Sequence, residues 1–303
     1  MQSFLDLHYP VDVDWAEVQG MRIAYADVGT GEVPLVLVHG LSGYIPMWKH
    51  NIGALAQQHR VIALDLPGYG KSDKPRASYS MSFFAEAVRG LLDALGIPRA
   101  ILVGHSMGGQ VSMHVALRAP ERVHALVLTS PAGIETFSAS EGAFLRSLVT
   151  PAFTYYATNS TIRARHEANF RTMPADAGFL ISDRIAIRGA RKFKAYCHVI
   201  KNSVRGMLDE PVHARLHQLG APTLILFGDS DKLIPNPVLH RGTAAELVQA
   251  ELPRMPDTRF VLLRRAGHLA QFEAAAQWNE AVLAFVDEIS DTQAADHPQS
   301  LRP

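Results

Sequence analysis

A chain of 303 residues with 48% hydrophobic content can bury a sizeable core, as one large α/β domain or as two average ones. Lysine plus arginine and aspartate plus glutamate number 29 each, so no global charge draws the protein to nucleic acid or an anionic membrane. Cys197 is the only cysteine, which excludes an internal disulfide and a multi-cysteine metal site and fits a reducing compartment.

The start, Met-Gln-Ser-Phe-Leu-Asp-Leu-His, lacks a basic stretch followed by a long apolar run, and no window reaches the roughly 18 apolar residues of a membrane span. The expectation is a soluble, cytoplasmic protein without stable membrane insertion. Residues 22–26, a Gly29-Thr30-Gly31 turn and the run Leu35-Val36-Leu37-Val38 read as short strands joined by turns. Similar runs follow at 60–64, 100–103, 125–128, 223–227 and 259–263, with helix-like segments between most of them. Strands rich in Val, Ile and Leu alternating with amphipathic helices predict a mostly parallel central sheet covered by helices on both faces. In such sheets binding sites gather at the carboxyl ends of the strands.

The alternation fails over residues 134–215, where helical stretches rich in Phe, Tyr, Arg and Met replace strands. That segment holds 12 Lys/Arg against seven Asp/Glu and is expected to be an inserted helical cap with about five net positive charges. Residues 1–133 and 216–290 then form the core, and 291–303 read as a disordered tail. Cys197 lies in the cap among lysines and arginines with no turn glycine beside it, which favours packing over a nucleophilic role.

The strand at 100–103 runs into Gly104-His105-Ser106-Met107-Gly108-Gly109, and a helix pattern follows. This is a G-x-S-x-G elbow in strand-turn-helix context, where small residues two before and two after the serine relieve a tight turn. The turn lifts the Ser106 hydroxyl above the sheet and sets a helix N-terminus beneath it, which makes the Met107 amide an oxyanion donor. A serine hydroxyl needs a base held in the correct tautomer by a carboxylate. Two later strand ends supply candidates: Gly228-Asp229-Ser230-Asp231-Lys232-Leu233-Ile234-Pro235, and Ala266-Gly267-His268. Adjacent side chains in an elbow point apart, so His105 is expected to pack, and His39 to organise its own turn by hydrogen bonding.

The order Ser, Asp, His resembles the α/β-hydrolase family and differs from the chymotrypsin-like and subtilisin-like orders. His39-Gly40-Leu41-Ser42-Gly43, Asp65-Leu66-Pro67-Gly68-Tyr69-Gly70-Lys71-Ser72 and Ala119-Pro120-Glu121-Arg122-Val123 are similar to segments of that family, and the likeness spans residues 18–288 apart from the cap. The resemblance implies an α/β-hydrolase fold with Ser106 as nucleophile and His268 as base. Its acid pattern, G-x-x-D and then a proline, maps onto Gly228, Asp231 and Pro235, leaving Asp229 as a turn former and second candidate. It also implies that Leu41, or as second choice Ser42, supplies the other oxyanion amide.

Serine rather than aspartate at the elbow points to acyl transfer. The resemblance implies a carboxylesterase or small lipase acting on small-molecule esters of short to medium acyl chains. A second reading is a carbon-carbon hydrolase of ring-fission products, because Gly267-His268-Leu269-Ala270-Gln271-Phe272-Glu273 resembles the base segment of meta-cleavage-product hydrolases and the basic cap suits carboxylates. Leu269 departs from the tryptophan usual there, and the His-Gly loop is less glycine-rich. Lactonase, perhydrolase and lyase chemistry, and a ligand receptor without turnover, are further readings of the fold. In the cap, Phe144, Leu148, Phe153, Tyr155, Tyr156, Phe170 and Phe179 either wall an acyl pocket or form the cap's own core, and its arginines form either an anion site or a solvated face. No metal spacing, phosphate loop or dinucleotide fingerprint occurs, so no cofactor is expected, nor a nucleic-acid partner. A homodimer is compatible with the sequence.

Overall fold

A computed structural model of the chain describes residues 3–296. Among the described residues an eight-stranded sheet forms the centre, in the order β1-β2-β4-β3-β5-β6-β7-β8. The strands are β1 (Asp14–Val18), β2 (Met21–Val28), β3 (Leu35–Val38), β4 (Val61–Leu64), β5 (Ala100–His105), β6 (Val123–Thr129), β7 (Thr223–Gly228) and β8 (Thr258–Leu263). β2 runs antiparallel to β1 and β4, and every other pairing is parallel. Every residue of β3 to β7 is buried, which is why those segments read as unbroken apolar runs. The edge strand β1 was not separable from its sequence, since Asp14, Trp15 and Glu17 face solvent and only Ala16 and Val18 turn inward.

Helices α1 (Ile52–Leu55), α2 (Met81–Ala94) and α3 (Met107–Arg118) follow the early strands. α2 starts at Ser80, whose hydroxyl accepts the Phe83 amide, and it packs against α3 and β1. Between β6 and β7 the chain leaves the sheet as α4 (Ala139–Leu148), α5 (Pro151–Tyr155), α6 (Asn159–Glu167), α7 (Gly178–Ala186) and α8 (Phe193–Asp209). Ser138, Thr150 and Thr158 cap the first three of these through side-chain oxygens. α8 buries Phe193, Tyr196, Cys197, Ile200 and Ser203 at spacings of three and four, a single inward face. Cys197 is part of that face, and burial pushes its thiol up to about 11, so it behaves as a packing residue.

After β7 come α9 (Ala244–Glu251), α10 (Ala270–Glu273) and α11 (Ala275–Asp296). Trp278 of α11 is fully buried, and its indole N–H donates to the Thr129 hydroxyl at the end of β6 (2.8 Å). α11 continues through Asp296, so the expected disordered tail does not begin at 291; good helix formers such as Ala and Gln extend a helix already anchored by Trp278, Val282, Phe285 and Ile289. The rest of that expectation, 297–303, lies outside the described residues. No helix among the described residues is long and apolar enough to cross a membrane.

Candidate active site

Ser106 joins β5 to α3 with φ 52° and ψ −117°, a strained conformation for a residue with a side chain. Hydrogen bonds on both sides hold it there. Its amide donates to the Thr129 carbonyl (2.9 Å), and its carbonyl accepts from the amides of Gly109 (2.9 Å) and Ala132 (3.1 Å). Glycine is required on either side: a Cβ at Gly104 would collide with the Gly108 backbone, and one at Gly108 with the carbonyl oxygens of Val38 and His39. The elbow therefore closes directly on the end of β3.

The loop that leaves β3 passes beside the serine. A Cβ on Gly40 would lie 3.0 Å from that of Ser106, and Leu41 follows at once. The buried His39 ties this loop to the next, donating from Nδ1 to the Gly40 carbonyl (2.8 Å) and accepting the Leu66 amide at Nε2 (3.0 Å). Asp65, also buried, accepts from the Tyr9 hydroxyl (2.6 Å) and the amides of Ile45 (2.8 Å) and Lys71 (2.7 Å), so the Asp-Leu-Pro-Gly segment is a structural brace. Met107 is the first residue of α3, so its N–H has no carbonyl one turn back and remains available. Leu41 lines the same cavity as Ser106, and Met107 follows the serine directly.

The geometry separates the two aspartates. His268 Nδ1–H donates to Asp231 Oδ2 (2.9 Å), with the Asp231 side chain fully buried and that of His268 at 5% exposure. The other oxygen of Asp231 accepts the amides of Leu233 (2.8 Å) and Ile234 (3.1 Å). Burial works to raise this carboxyl, but the charge and hydrogen bond of His268 and the two amides outweigh it and hold it below the ordinary carboxylate value. Asp229 instead accepts the Ser230 hydroxyl (2.8 Å) and the Arg265 amide (3.0 Å), bracing the turn against the loop after β8. Ser106 and His268 line the same cavity, and no hydrogen bond joins their side chains among the described residues.

Three groups to which the sequence assigns no part in the site support this arrangement. His105 does more than pack: its Nε2–H donates to the His268 carbonyl (3.0 Å), and the two rings meet edge to face at 4.9 Å. Burial, and then the charge of His268, lower the His105 imidazole to about 3, so it stays neutral when its neighbour is protonated. Glu273 accepts the amides of Gly267 (2.8 Å), Arg171 (2.9 Å) and Thr172 (2.8 Å), fixing the histidine loop to the cap. Lys232 donates to the Phe170 carbonyl (3.0 Å) and does the same for the acid loop. Glu273 was visible as the end of the Gly-His-Leu-Ala-Gln-Phe-Glu segment; the bond of His105 crosses from β5 to the loop after β8 and leaves no local signal.

The fold, the elbow and the buried Asp231–His268 pair decide the family, and comparison with known proteins agrees. A model of the alpha/beta hydrolase fold matches residues 33–181. The chain belongs to the α/β-hydrolase fold family. It is 35% identical over 279 residues to a dihydrolipoyllysine-residue acetyltransferase component of an acetoin cleaving system from Pseudomonas putida, covering 89% of this chain and 68% of that protein. It is 31% identical over 281 residues to a 2-hydroxy-6-oxononadienedioate/2-hydroxy-6-oxononatrienedioate hydrolase from Paraburkholderia phymatum, covering 88% of this chain and 91% of the relative. Among solved structures, a probable hydrolytic enzyme from Pseudomonas aeruginosa PAO1 superposes with a TM-score of 0.81 at 24% identity, covering 94% of this chain and 97% of the other.

In this α/β-hydrolase the space above Ser106 divides into two compartments that meet at Ser106 and His268. One, of about 480 Å³, is largely apolar, with Phe137, Leu145, Leu148, Val204 and Met207 on its walls. The other, of about 310 Å³, is also walled mainly by apolar side chains but carries Arg165, His166, Asn169 and Arg184 on its border. Neither arginine has an ion-pair partner among the described residues; Arg184 donates to the Thr154 carbonyl (3.0 Å), while its Nη1 is buried without a protein acceptor. The cap's large apolar residues fall into three groups, where the sequence offered two. Phe170 is buried, Leu148 and Phe153 line the compartments while remaining about half exposed, and Phe144 (44%) and Tyr156 (77%) project into solvent away from both.

Proposed function

We propose that this α/β-hydrolase is a serine esterase that cleaves carboxylic esters of short to medium acyl chains through an acyl-enzyme on Ser106. The observation that carries the reading is the Asp231–His268 hydrogen bond, placed at neighbouring strand ends so that the imidazole opens onto the cavity of the strained serine. With Nδ1–H held by Asp231, Nε2 is free to take the Ser106 proton as Oγ attacks the ester carbonyl. The oxyanion receives the Leu41 and Met107 amides, each worth about 3 kcal/mol in serine enzymes. The protonated His268 then gives its proton to the departing alkoxide, and a water activated by the same nitrogen hydrolyses the acyl group. The apolar compartment accommodates the acyl chain.

A second reading is favoured by one specific observation. The unneutralised Arg165 and Arg184 beside the serine suit a substrate that carries a carboxylate, as the dienedioate named for the P. phymatum relative does. Carbon-carbon cleavage of such an acid would use the same serine, base and amides. Ser106→Ala should abolish hydrolysis of p-nitrophenyl esters with the circular dichroism spectrum unchanged, and retained turnover would remove the serine mechanism. A panel of p-nitrophenyl esters run beside a ring-fission dienoate distinguishes the two chemistries.

A further inference from the structure

A cavity of about 820 Å³, larger than either compartment above Ser106, lies between the segment 74–79 and α8. Lys74, Arg76, Lys194 and His198 stand on its walls, Ser78 and Asn202 add polar groups, and no aspartate or glutamate lines it. It shares no residue with the two compartments, and the esterase reading makes no use of it.

The charges on its walls are free. Arg76, Lys194 and His198 are exposed, and their side chains have no hydrogen-bond or ion-pair partner among the described residues. The carboxylates nearest to them in the chain are engaged elsewhere: Asp73 with Lys192 (3.5 Å) and Arg22 (3.6 Å), and Asp209 with Arg146 (2.8 Å) and Arg205 (3.0 Å). Lys74 is buried instead. Its ammonium donates to the carbonyls of Gly70 (2.8 Å) and Ser72 (3.1 Å) and lies 3.9 Å from the Phe4 ring, so it is held in the wall without a carboxylate. Burial pushes it down to about 7, and a negative charge alongside favours its protonated form.

Lys194, His198 and Asn202 occupy positions i, i+4 and i+8 of α8, which puts them on one stripe about 12 Å long at a rise of 1.5 Å per residue. Arg76 and Ser78 come from the other wall. Donors on two walls, spread along such a stripe, fit a ligand with several anionic oxygens better than a single carboxylate. We propose that this cavity binds a small phosphorylated molecule through a diphosphate group, with the Arg76 guanidinium and the Lys194 ammonium meeting its oxygens from opposite walls. The planar fork of arginine matches phosphate oxygens two at a time, and lysine adds a compact point charge. The volume lies within the roughly 300–1,000 Å³ of small-molecule sites. The opposite face of α8 turns Ile200, Val204 and Met207 towards Ser106, so this ligand and the substrate bear on one helix from two sides.

The test is isothermal titration of the full chain with sodium pyrophosphate at about 0.15 M salt, beside sodium sulfate as a single tetrahedral anion. One-site binding of pyrophosphate is expected below about 1 mM, with sulfate weaker by about tenfold or more. Arg76→Gln and Lys194→Gln remove exposed side chains that hold nothing else in place, so the circular dichroism spectrum should not change, while each should weaken pyrophosphate binding by about tenfold or more. Arg191→Gln removes an equal charge from an exposed, unpaired residue outside the cavity and should alter binding by less than about twofold. The proposal is overturned if pyrophosphate does not bind, if sulfate binds equally well, or if Arg191→Gln costs as much as the two cavity variants. It is also overturned if binding survives both cavity variants, or is lost instead in Arg184→Gln, which would place the anion beside Ser106. None of these readings depends on ester turnover, so they stand apart from the test of the esterase mechanism.

Discussion

Replacing Asp231 by asparagine tests the site at the point where its geometry is most demanding. Asp231 Oδ1 receives two amides, from Leu233 and Ile234 at 2.8 and 3.1 Å, while Oδ2 receives Nδ1–H of His268 at 2.9 Å. An asparagine can satisfy the two amides only with its carbonyl oxygen, which turns its NH2 group towards His268. The imidazole must then accept at Nδ1 and carry its proton on Nε2, the nitrogen required to take the Ser106 proton. In a serine triad this tautomer fault costs about 10⁴ in turnover, or roughly 5.5 kcal/mol of transition-state stabilisation. Asp229→Asn keeps a carbonyl oxygen for one of its two donors and leaves the Asp231–His268 pair intact, so it should cost less than about tenfold, ~1.4 kcal/mol. The assay is kcat/KM for p-nitrophenyl butyrate on both variants, with urea midpoints to check the fold. Comparable losses in the two, or a loss below about tenfold in Asp231→Asn, would refute the tautomer argument and the choice of acid.

Other consequences can be measured separately. Gly108→Ala forces a Cβ into the Val38 and His39 carbonyl oxygens, and backbone cannot yield as a flexible side chain would, so a destabilisation of about 1–3 kcal/mol is expected in urea titration, together with lost turnover. Leu41→Ala keeps the main-chain amide and should alter kcat by less than about tenfold, whereas Leu41→Pro removes the donor and should lower kcat by about 10²–10³. Arg184→Gln should raise KM for carboxylate-bearing substrates by about tenfold or more and leave neutral p-nitrophenyl esters unaffected, because a charge-assisted hydrogen bond is worth about 1.5–3 kcal/mol; equal effects on both substrates would contradict an anion-binding role. His105 is held neutral down to about 3, so between an unfolded value of about 6.5 and that limit the unfolded chain binds a proton that the folded one refuses. Stability should therefore fall as pH drops below about 6.5, by roughly 1.4 kcal/mol per unit from this group, and His105→Gln should narrow the gap between urea stabilities at pH 7 and 5 by about 2 kcal/mol.

What could be read from the sequence follows from how local each feature is. β3 to β7 are buried on both faces, so each announces itself as an unbroken apolar run, and the elbow is visible because its glycines answer to sterics within five residues. β1 shows only the alternation of an edge strand interrupted by Asp14 and Glu17, and it disappears among turn residues. The aspartate choice rested on a family pattern, since both candidates end the same strand; what separates them is which one reaches His268, 37 residues further on. In the cap, Phe170 and Tyr156 look alike as aromatic residues of a helical region, yet one is fully buried and the other 77% exposed, because a helix-rich insert fixes its inner face only once it has somewhere to dock.

That docking makes the cap part of the catalytic frame. The short connection between α6 and α7 offers the Asn169 carbonyl to the Leu269 amide (2.9 Å), the Phe170 carbonyl to Lys232 (3.0 Å), and the amides of Arg171 and Thr172 to Glu273. One stretch of four residues therefore holds both the loop that carries Asp231 and the loop that carries His268. A Cβ at Gly267 would meet the Arg171 amide nitrogen and the Phe170 backbone, so this contact is as close as the elbow's own. The same insert supplies Arg165, Arg184 and the apolar wall of Leu145 and Leu148. Substitutions that reshape the compartments thus act on helices joined through 169–172 to the loops of Asp231 and His268, so on the esterase reading substrate preference and turnover are expected to change together. The insert is thus anchored, at its contact with the loops of Asp231 and His268, by its own main-chain groups, which leaves its side chains free to shape the compartments.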